Sequence, residues 1–227
     1  MVDRTLKYVF EDRPFKTLGG SRTDAMVSAT EFILELFLDS AIEDEKAFLD
    51  LFNLNLPADI RAMSIEETDQ EFNIIQNPKQ KEYIYLFAEG QKAHPFSAPF
   101  LTTINQTLNV ELMQEGAKLF EGTHDFRAYC KKPKEETQSI RTIDKCELVP
   151  NTFHTASFFP DPSYAVIFQS KGFMRNQIRL IMGQLFRLGK DEIDLDFIES
   201  SLKTDFSEHL DYVAPASGLL LNKVALA

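Results

Sequence analysis

Hydrophobic and polar residues alternate along this chain with two different spacings, which predict helices and strands in turn. The clearest helical stripe follows Asn109, a residue type that caps helices, and ends at Gly122, and a longer stripe runs from Gly172 to Gly189. Residues 27–38 alternate with a period of two and predict a strand, although so apolar a run also fits a buried helix. Further helices are predicted at residues 2–12, 43–52 and 194–203, and further strands at 15–18, 60–66, 71–76, 82–88, 139–149, 164–168 and 219–226.

This order of elements predicts the α+β class, with an antiparallel sheet and helices packed on one of its faces. The stretch from Pro95 to Pro99 predicts a loop between two halves, residues 1–98 and 99–227. A chain of 227 residues is long enough to bury a sizeable core.

The composition is that of an ordinary globular protein, with 44% hydrophobic and 26% charged residues. The chain has no run of about 20 apolar residues and no signal peptide at its start, so a cytoplasmic location is expected. Its two cysteines, Cys130 and Cys146, and its four scattered histidines have no metal-ligand spacing. The sequence therefore predicts reduced thiols and no metal site.

The formal net charge of −11 argues against a nucleic-acid partner, because such partners usually meet a basic face. The acidic residues nevertheless gather in short segments such as Glu43–Glu45, and the basic residues gather elsewhere. The basic groups are Lys79 with Lys81, Lys131 with Lys132 and Lys134, and Arg175 with Arg179 and Arg187. The pattern fits either a basic groove on an acidic body or separate solvated charge runs.

A short polar turn supplies the strongest candidate for chemistry. The tripeptide Arg22-Thr23-Asp24 follows two glycines and precedes a stretch of small apolar residues. A carboxylate at such a turn, with a guanidinium two positions away, is available as an ionised nucleophile. The alternative is structural, because aspartate is common at turns, where it caps backbone N–H groups.

The turn Gly20–Ala25 resembles the signature of the tRNA pseudouridine synthase A family, whose members isomerise uridine in the tRNA anticodon arm. Further blocks are similar to those of the family and follow in its order: Asn53–Ile60, Lys81–Tyr85, Phe120–Phe126, Ser139–Ile143, Gly172–Arg179 with Gly183, and Ala214–Leu219. The resemblance implies the pseudouridine synthase fold of two ferredoxin-like halves. It also implies tRNA as partner, a homodimer, and neither cofactor nor metal.

The resemblance further implies roles for single residues. Asp24 matches the aspartate that attacks the uridine, at either the sugar or the base, and Arg179 matches the arginine that pairs with it. Tyr83 matches the active-site tyrosine, whose ring can stack on an extruded base. Without the family, Arg179 fits a surface cation and Tyr83 a core aromatic. The implied substrate-binding residues are Arg22, Tyr85, Arg141, Arg175, Lys131 and Lys132.

The chain departs from the family pattern at two places. The opening strand and the loop with the Tyr-Asp-Gly and Gly-Trp-Gln elements are missing, and the chain has no Trp. Either the start of the chain is misassigned or the protein is shortened, and we expect an N-terminally shortened fold that lacks an edge strand. Met26 stands where the family commonly has glycine, and its bulk is expected to alter the turn or the choice of substrate.

Three functions remain open at this point. The first is an active tRNA-uridine isomerase, and the second is a non-catalytic RNA-binding relative. The third is an acidic protein without RNA, in which Asp24 serves a hydrolase or only caps a turn. Salt dependence of RNA binding separates the third from the others, because phosphate contacts make affinity fall steeply with salt.

Overall fold

The computed structural model describes residues 1–226, which contain five α-helices and ten strands. The helices are α1 (Val2–Phe10), α2 (Glu45–Asn55), α3 (Val110–Lys118), α4 (Gln177–Gly189) and α5 (Leu195–Ser201). The strands are β1 (Phe15–Gly19), β2 (Ser28–Ala29), β3 (Leu34–Leu38), β4 (Gln80–Glu89), β5 (Thr102–Ile104), β6 (Gly122–Asp125), β7 (Ile140–Ile143), β8 (Lys145–Pro150), β9 (Tyr164–Ser170) and β10 (Leu219–Ala225). None of these helices is long and apolar enough to cross a membrane.

The chain forms two compact units. The first holds residues 1–22 and 33–77, and the second holds residues 23–32 and the chain from Pro78 onward. These units do not coincide with the predicted halves 1–98 and 99–227. The division into two ferredoxin-like halves stays a prediction.

The first unit is a two-stranded antiparallel sheet, β1 with β3, accompanied by α1 and α2. Phe48 of α2 stacks its ring on Phe10 of α1 at 5.2 Å and on Phe52 at 5.7 Å, measured between centroids. The two helices therefore share one aromatic stack. The helices predicted at residues 2–12 and 43–52 are confirmed.

The second unit is built on a six-stranded sheet with the order β2-β10-β4-β9-β8, in which β5 also pairs with β4. Its central pairs are antiparallel, whereas β2 is parallel to β10 and β5 is parallel to β4. A separate antiparallel hairpin joins β6 and β7, and α3 packs on β8 and α4. This mixture of helices and mainly antiparallel strands confirms the predicted α+β class.

Strand β4 lies at the centre of the sheet, and residues 83–88 are buried on both of its faces. On one face Tyr85 and Phe87 contact the ring of Phe186 in α4, at centroid distances of 6.0 and 5.2 Å. On the other face Leu86 belongs to a cluster that includes residues of the surrounding loops. Burial on both faces explains why this strand is continuously apolar rather than alternating.

Polar side chains at the N-termini fix where three helices begin. Asp44, Asn109 and Asp194 each accept the backbone N–H three residues further on, at 2.8 to 3.0 Å, and thereby cap α2, α3 and α5. The capping role predicted for Asn109 is confirmed. Asn176, at the same position of α4, makes no such bond with its own helix.

The strands predicted at residues 60–66 and 71–76 are wrong, because side chains satisfy the backbone there instead of a neighbouring strand. The side-chain amide of Asn53 binds both the N–H and the carbonyl of Ala62. The side-chain oxygen of Asn73 accepts from the N–H groups two and three residues further on. Residues 61–79 consequently form turns and irregular chain.

Two other predicted strands are each divided in the structure. Residues 27–38 form β2 in the second unit and β3 in the first. Residues 139–149 form β7 and β8, with a break at Asp144, whose N–H donates to the carbonyl of Gln169 at 2.7 Å. The hydrophobic alternation continues across both breaks, so the pattern alone did not reveal them.

Gly183 allows α4 to lie close against the backbone of another segment. A Cβ at this position would lie 2.0 Å from the carbonyl oxygen of Tyr212, a backbone atom. Gly183→Ala should therefore lower the free energy of unfolding by at least about 2 kcal/mol in a denaturant titration, although alanine favours helices. Gly172→Ala is the matched control, because no atom lies within 4 Å of its Cβ position, and it should cost less than about 0.5 kcal/mol. Equal effects of the two substitutions would contradict this packing.

Candidate active site

The turn that carries Asp24 is attached to the edge of the main sheet. The N–H of Val27 donates to the carbonyl of Asp24 at 3.1 Å, which closes the turn, and β2 begins at the next residue. Ser28 of β2 is in register with Leu220 of β10. The carboxylate therefore projects from a turn whose C-terminal side is held by strand pairing.

Arg179, in the first turn of α4, forms an ion pair with Asp24. Its Nη1 donates to Oδ2 of Asp24 at 2.6 Å, although the residues are 155 positions apart in the sequence. The side chain of Asp24 is 40% exposed and that of Arg179 is 17% exposed, so the guanidinium is mostly covered while the carboxylate meets solvent. An ion pair of this exposure adds at most about 1 kcal/mol to stability. Its main effect is to fix the direction of the carboxylate.

The guanidinium of Arg179 is itself fixed by the backbone of Ala214. Its Nε donates to the carbonyl of Ala214 at 2.7 Å, and the N–H of Ala214 donates to the carbonyl of Arg179 at 3.0 Å. The next residue, Pro215, accepts a bond of 2.8 Å from the hydroxyl of Tyr85 in β4. Hydrogen bonds thus link the central strand, through residues 214 and 215, to the ion pair of Arg179 with Asp24.

Asn176 is a second donor to Asp24, which the sequence analysis did not identify. Its Nδ2 donates to Oδ2, the same oxygen that Arg179 binds. The backbone of Asn176 is left-handed, with φ 59° and ψ 12°, a conformation that asparagine adopts more readily than most residues. Within residues 1–226, no group donates to the other oxygen, Oδ1.

The two tyrosines of β4 have different environments. Tyr83 is 8% exposed, and its ring meets that of Phe173 edge to face at a centroid distance of 5.4 Å. Tyr85 is fully buried, its hydroxyl lies 2.9 Å from that of Thr102, and burial raises the pKa of its phenol. Contact of either ring with a substrate stays a prediction.

Three of the predicted substrate-binding residues adjoin one another on two neighbouring loops. The N–H of Lys131 donates to the carbonyl of Arg175 at 3.1 Å, and Lys132 follows directly. All three residues are exposed, and Arg175 directly precedes Asn176. This basic cluster, Lys131, Lys132 and Arg175, gives the acidic chain a local positive surface at the start of α4.

Arg127, which the sequence analysis did not single out, holds the loop that carries the lysines. Its guanidinium donates to the carbonyls of Lys134 and Thr137 at 3.4 and 3.3 Å. Cys130 lies buried at the start of this loop, and burial raises the pKa of its thiol, against the opposing effects of Arg175 and Arg127. The thiol therefore adds no negative charge to the basic cluster at neutral pH.

The other two arginines predicted to contact the substrate are both exposed. Arg141 lies on β7, opposite His124 of β6. Arg22 ends the opening segment of the first unit, whereas Asp24 belongs to the second. Contact of either arginine with RNA stays a prediction.

Met26 has a backbone conformation that suits glycine. Its φ is +70° at the third position of the turn that begins at Asp24, and the residue is 72% exposed. The left-handed backbone conformation costs a residue with a Cβ about 1–2 kcal/mol of conformational energy. Met26→Gly should therefore raise the free energy of unfolding by up to about 1 kcal/mol, because relief of this strain outweighs the added freedom of the unfolded chain.

Ala25→Gly is the control for this prediction, since Ala25 is exposed in the same turn and has no positive φ. It should lower the free energy of unfolding by about 0.4–1 kcal/mol, because it only adds freedom to the unfolded chain. Thermal denaturation of both variants checks the prediction. If Met26→Gly lowers the free energy of unfolding as much as Ala25→Gly does, the left-handed backbone at Met26 carries no strain.

The arrangement around Asp24 has the features of a carboxylate nucleophile. Two donors hold one oxygen, and the side chain keeps enough exposure to meet a ligand. An ionised carboxylate in such a position can attack an electrophilic carbon. Within residues 1–226, the acidic, His and Cys side chains form no group that could hold a metal ion.

A cavity of about 420 Å³ in the first unit is a weaker candidate. It is lined mainly by α1, α2 and the chain between β3 and α2, with apolar side chains such as Phe10 and Phe48. The guanidinium of Arg13 in this cavity is engaged by the carbonyls of Ser40 and Ala41. The ion pair of Asp24 with Arg179 is therefore the stronger candidate for chemistry.

Comparison with known proteins identifies relatives over most of the chain. A family model described as tRNA pseudouridine synthase matches residues 117–225, a range that includes Asn176 and Arg179. A Bacillus cereus protein named tRNA pseudouridine synthase A 2 is 30% identical over 207 residues, which cover 91% of this chain and 80% of the relative.

Two relatives named tRNA pseudouridine synthase A cover still more of the chain. The protein of Clostridium botulinum is 27% identical over 229 residues, 98% of this chain and 90% of the relative. That of Dictyoglomus thermophilum is 28% identical over 228 residues, 98% of this chain and 87% of the relative. Alignments of this coverage include Asp24, which lies outside the range of the family model.

Proposed function

Since the chain belongs to the tRNA pseudouridine synthase A family, we propose that it isomerises uridine to pseudouridine in the tRNA anticodon stem-loop, with Asp24 as nucleophile. Membership makes the protein an isomerase, a tRNA pseudouridine synthase. The ion pair of Asp24 with Arg179 is the observation that most supports the assignment of the nucleophile. This ion pair joins the two residues that the family resemblance assigns as the nucleophile and as its arginine partner.

The reaction moves a base without adding or removing atoms. The N1–C1′ bond of uridine breaks, the base turns, and a C5–C1′ bond forms, while C5 loses a proton to solvent and N1 gains one. Asp24 attacks either C1′ of the ribose or the pyrimidine ring, and it is released unchanged when the new bond has formed. Both routes need a carboxylate with a fixed direction, which Arg179 supplies at 2.6 Å.

A uridine within a stem must leave the base stack before it reaches Asp24, at a cost of a few kcal/mol. We assign Tyr83 to stack on the extruded base, because a phenol ring offers a flat apolar face. Phe173 supports this tyrosine from its edge. We assign Arg22, which is exposed, to the phosphate of the flipped nucleotide.

A chain with a net charge of −11 needs a local basic surface to bind tRNA. The basic cluster of Lys131, Lys132 and Arg175 supplies one, and Arg141 adds another exposed cation. We propose that these four residues contact phosphates. We also propose that the enzyme works in the cytoplasm as a homodimer, with one tRNA spanning both subunits.

Tritium release from tRNA labelled at uridine C5 tests the proposed function. The wild-type chain should release tritium from an anticodon stem-loop, and replacing its uridines by cytidine one at a time should identify the modified position. If the protein makes about four phosphate contacts, raising the salt from 50 to 200 mM should lower its affinity for tRNA about 100-fold.

Each failure of this experiment has a different meaning. Salt-dependent binding without tritium release would indicate a non-catalytic RNA-binding relative. Binding that is absent, or that does not respond to salt, would remove RNA from the function altogether.

A further inference from the structure

Asn176 differs from the other polar residues that begin α-helices in this chain. In α2, α3 and α5 the N-cap side chain accepts a backbone N–H of its own helix, as Asn109 does from Leu112. Asn176 makes no such bond, and its amide is directed to Asp24 instead. Asparagine is among the best residues for capping a helix, so α4 lacks a stabilising bond that its sequence could supply.

The backbone at Asn176 is also unusual for its position. N-cap residues normally have extended backbone, whereas Asn176 is left-handed with φ 59° and ψ 12°. Asparagine adopts this conformation more readily than most residues, but at an N-cap it departs from the usual backbone, and such departures are often found at functional sites. Here the conformation accompanies an amide that reaches Asp24 rather than the helix.

Asn176 and Arg179 approach the carboxylate from the same turn of α4. Their Nδ2 and Nη1 atoms both donate to Oδ2 of Asp24, and within residues 1–226 nothing donates to Oδ1. Two donors on one oxygen oppose rotation of the carboxylate about its Cβ–Cγ bond, whereas a single donor could follow either oxygen. The amide is neutral, so it adds direction without adding a second positive charge.

We propose that Asn176 is a positioning residue that, together with Arg179, holds Oδ2 of Asp24, so that Oδ1 faces the nucleotide and makes the attack. This inference rests on the proposed function for its chemistry. Its structural part, the bond from the Asn176 amide to Asp24, can be tested without any reaction.

Two substitutions separate positioning from a structural role. Asn176→Gly keeps a residue that tolerates the left-handed backbone and removes the amide, so kcat should fall about 10- to 100-fold while the KM for tRNA stays within about twofold. Asn176→Asp keeps the shape and places a second negative charge beside Asp24, so kcat should fall further.

The stability of the same variants should follow the opposite order. The charge of aspartate suits a helix N-terminus, which offsets its repulsion of the partly exposed Asp24, so Asn176→Asp should melt near the wild-type temperature. A residue that only supported the helix would leave Asn176→Asp as active as the wild type. Activity that follows melting temperature across the two variants would overturn the proposal.

Asn109→Ala is the matched control, because Asn109 caps its own helix at 3.0 Å. It should lower the melting temperature by about 2–4 °C and leave kcat unchanged. A fall in kcat of the same size as in Asn176→Gly would mean that loss of any helix cap impairs the enzyme, and the proposal would then fail.

An NMR measurement keeps this inference apart from the proposed function. The side-chain amide protons of Asn176 should move upfield in Asp24→Ala, because they lose a charged acceptor. Unchanged amide protons would disprove the contact whatever the activity of the enzyme. If the amide protons shift in Asp24→Ala but the wild-type protein releases no tritium, the proposed function is refuted and the contact remains established.

Discussion

Replacing Asp24 by asparagine should reduce tritium release from C5-labelled tRNA by at least about a thousandfold. The substitution removes the charge and the nucleophilic oxygens and keeps the size of the side chain. The amide oxygen can still accept from Arg179, so the geometry around α4 should be preserved. Single-turnover measurement with excess enzyme checks the chemical step directly, because product release then plays no part.

Binding and stability of the same variant are the controls. The ion pair is too exposed to add more than about 1 kcal/mol, so the free energy of unfolding should change by no more than that. Affinity for tRNA should stay near that of the wild type, because the proposed phosphate contacts lie on other residues. Equal tritium release by both proteins would show that Asp24 is not the nucleophile.

The hydrophobic pattern correctly predicted the strands and helices whose own residue types reveal which of their faces are buried. Residues 83–88 are continuously apolar because β4 is covered on both faces, and the long helix ends at Gly189 as its pattern indicates. Residues 60–66 and 71–76 were misassigned as strands because Asn53 and Asn73 bind the backbone through their side chains. Hydrophobic periodicity carries no information about such bonds.

The candidate site shows a different limit. Asp24 and Arg179 were paired in advance only through the resemblance, because a contact across 155 positions has no local signal. Ala214 was missed since it acts through its backbone carbonyl, which every residue type has. Asn176 was missed because asparagine before a helix predicts a cap, and only the structure shows its amide directed elsewhere.

Arg179→Ala should lower kcat about 100- to 1,000-fold and change the KM for tRNA by no more than a few-fold. The variant loses the bond from Nη1 to Asp24 and the bond from Nε to Ala214, so the carboxylate loses both its charged partner and its fixed direction. Stability should fall by about 1 kcal/mol from the lost bond to Ala214. Tritium release with filter binding at constant salt separates turnover from affinity.

Arg179→Lys tests whether charge alone is sufficient. An ammonium group cannot bind Asp24 and the Ala214 carbonyl in the fixed planar arrangement of a guanidinium, so kcat should still fall about 10- to 100-fold. Arg187→Ala removes a cation from the same helix, whose partners are Gln184 and Glu192, and should leave kcat near the wild-type value. If Arg179→Ala weakens tRNA binding more than turnover, Arg179 serves as a phosphate contact, and its proposed role in directing the Asp24 carboxylate is wrong.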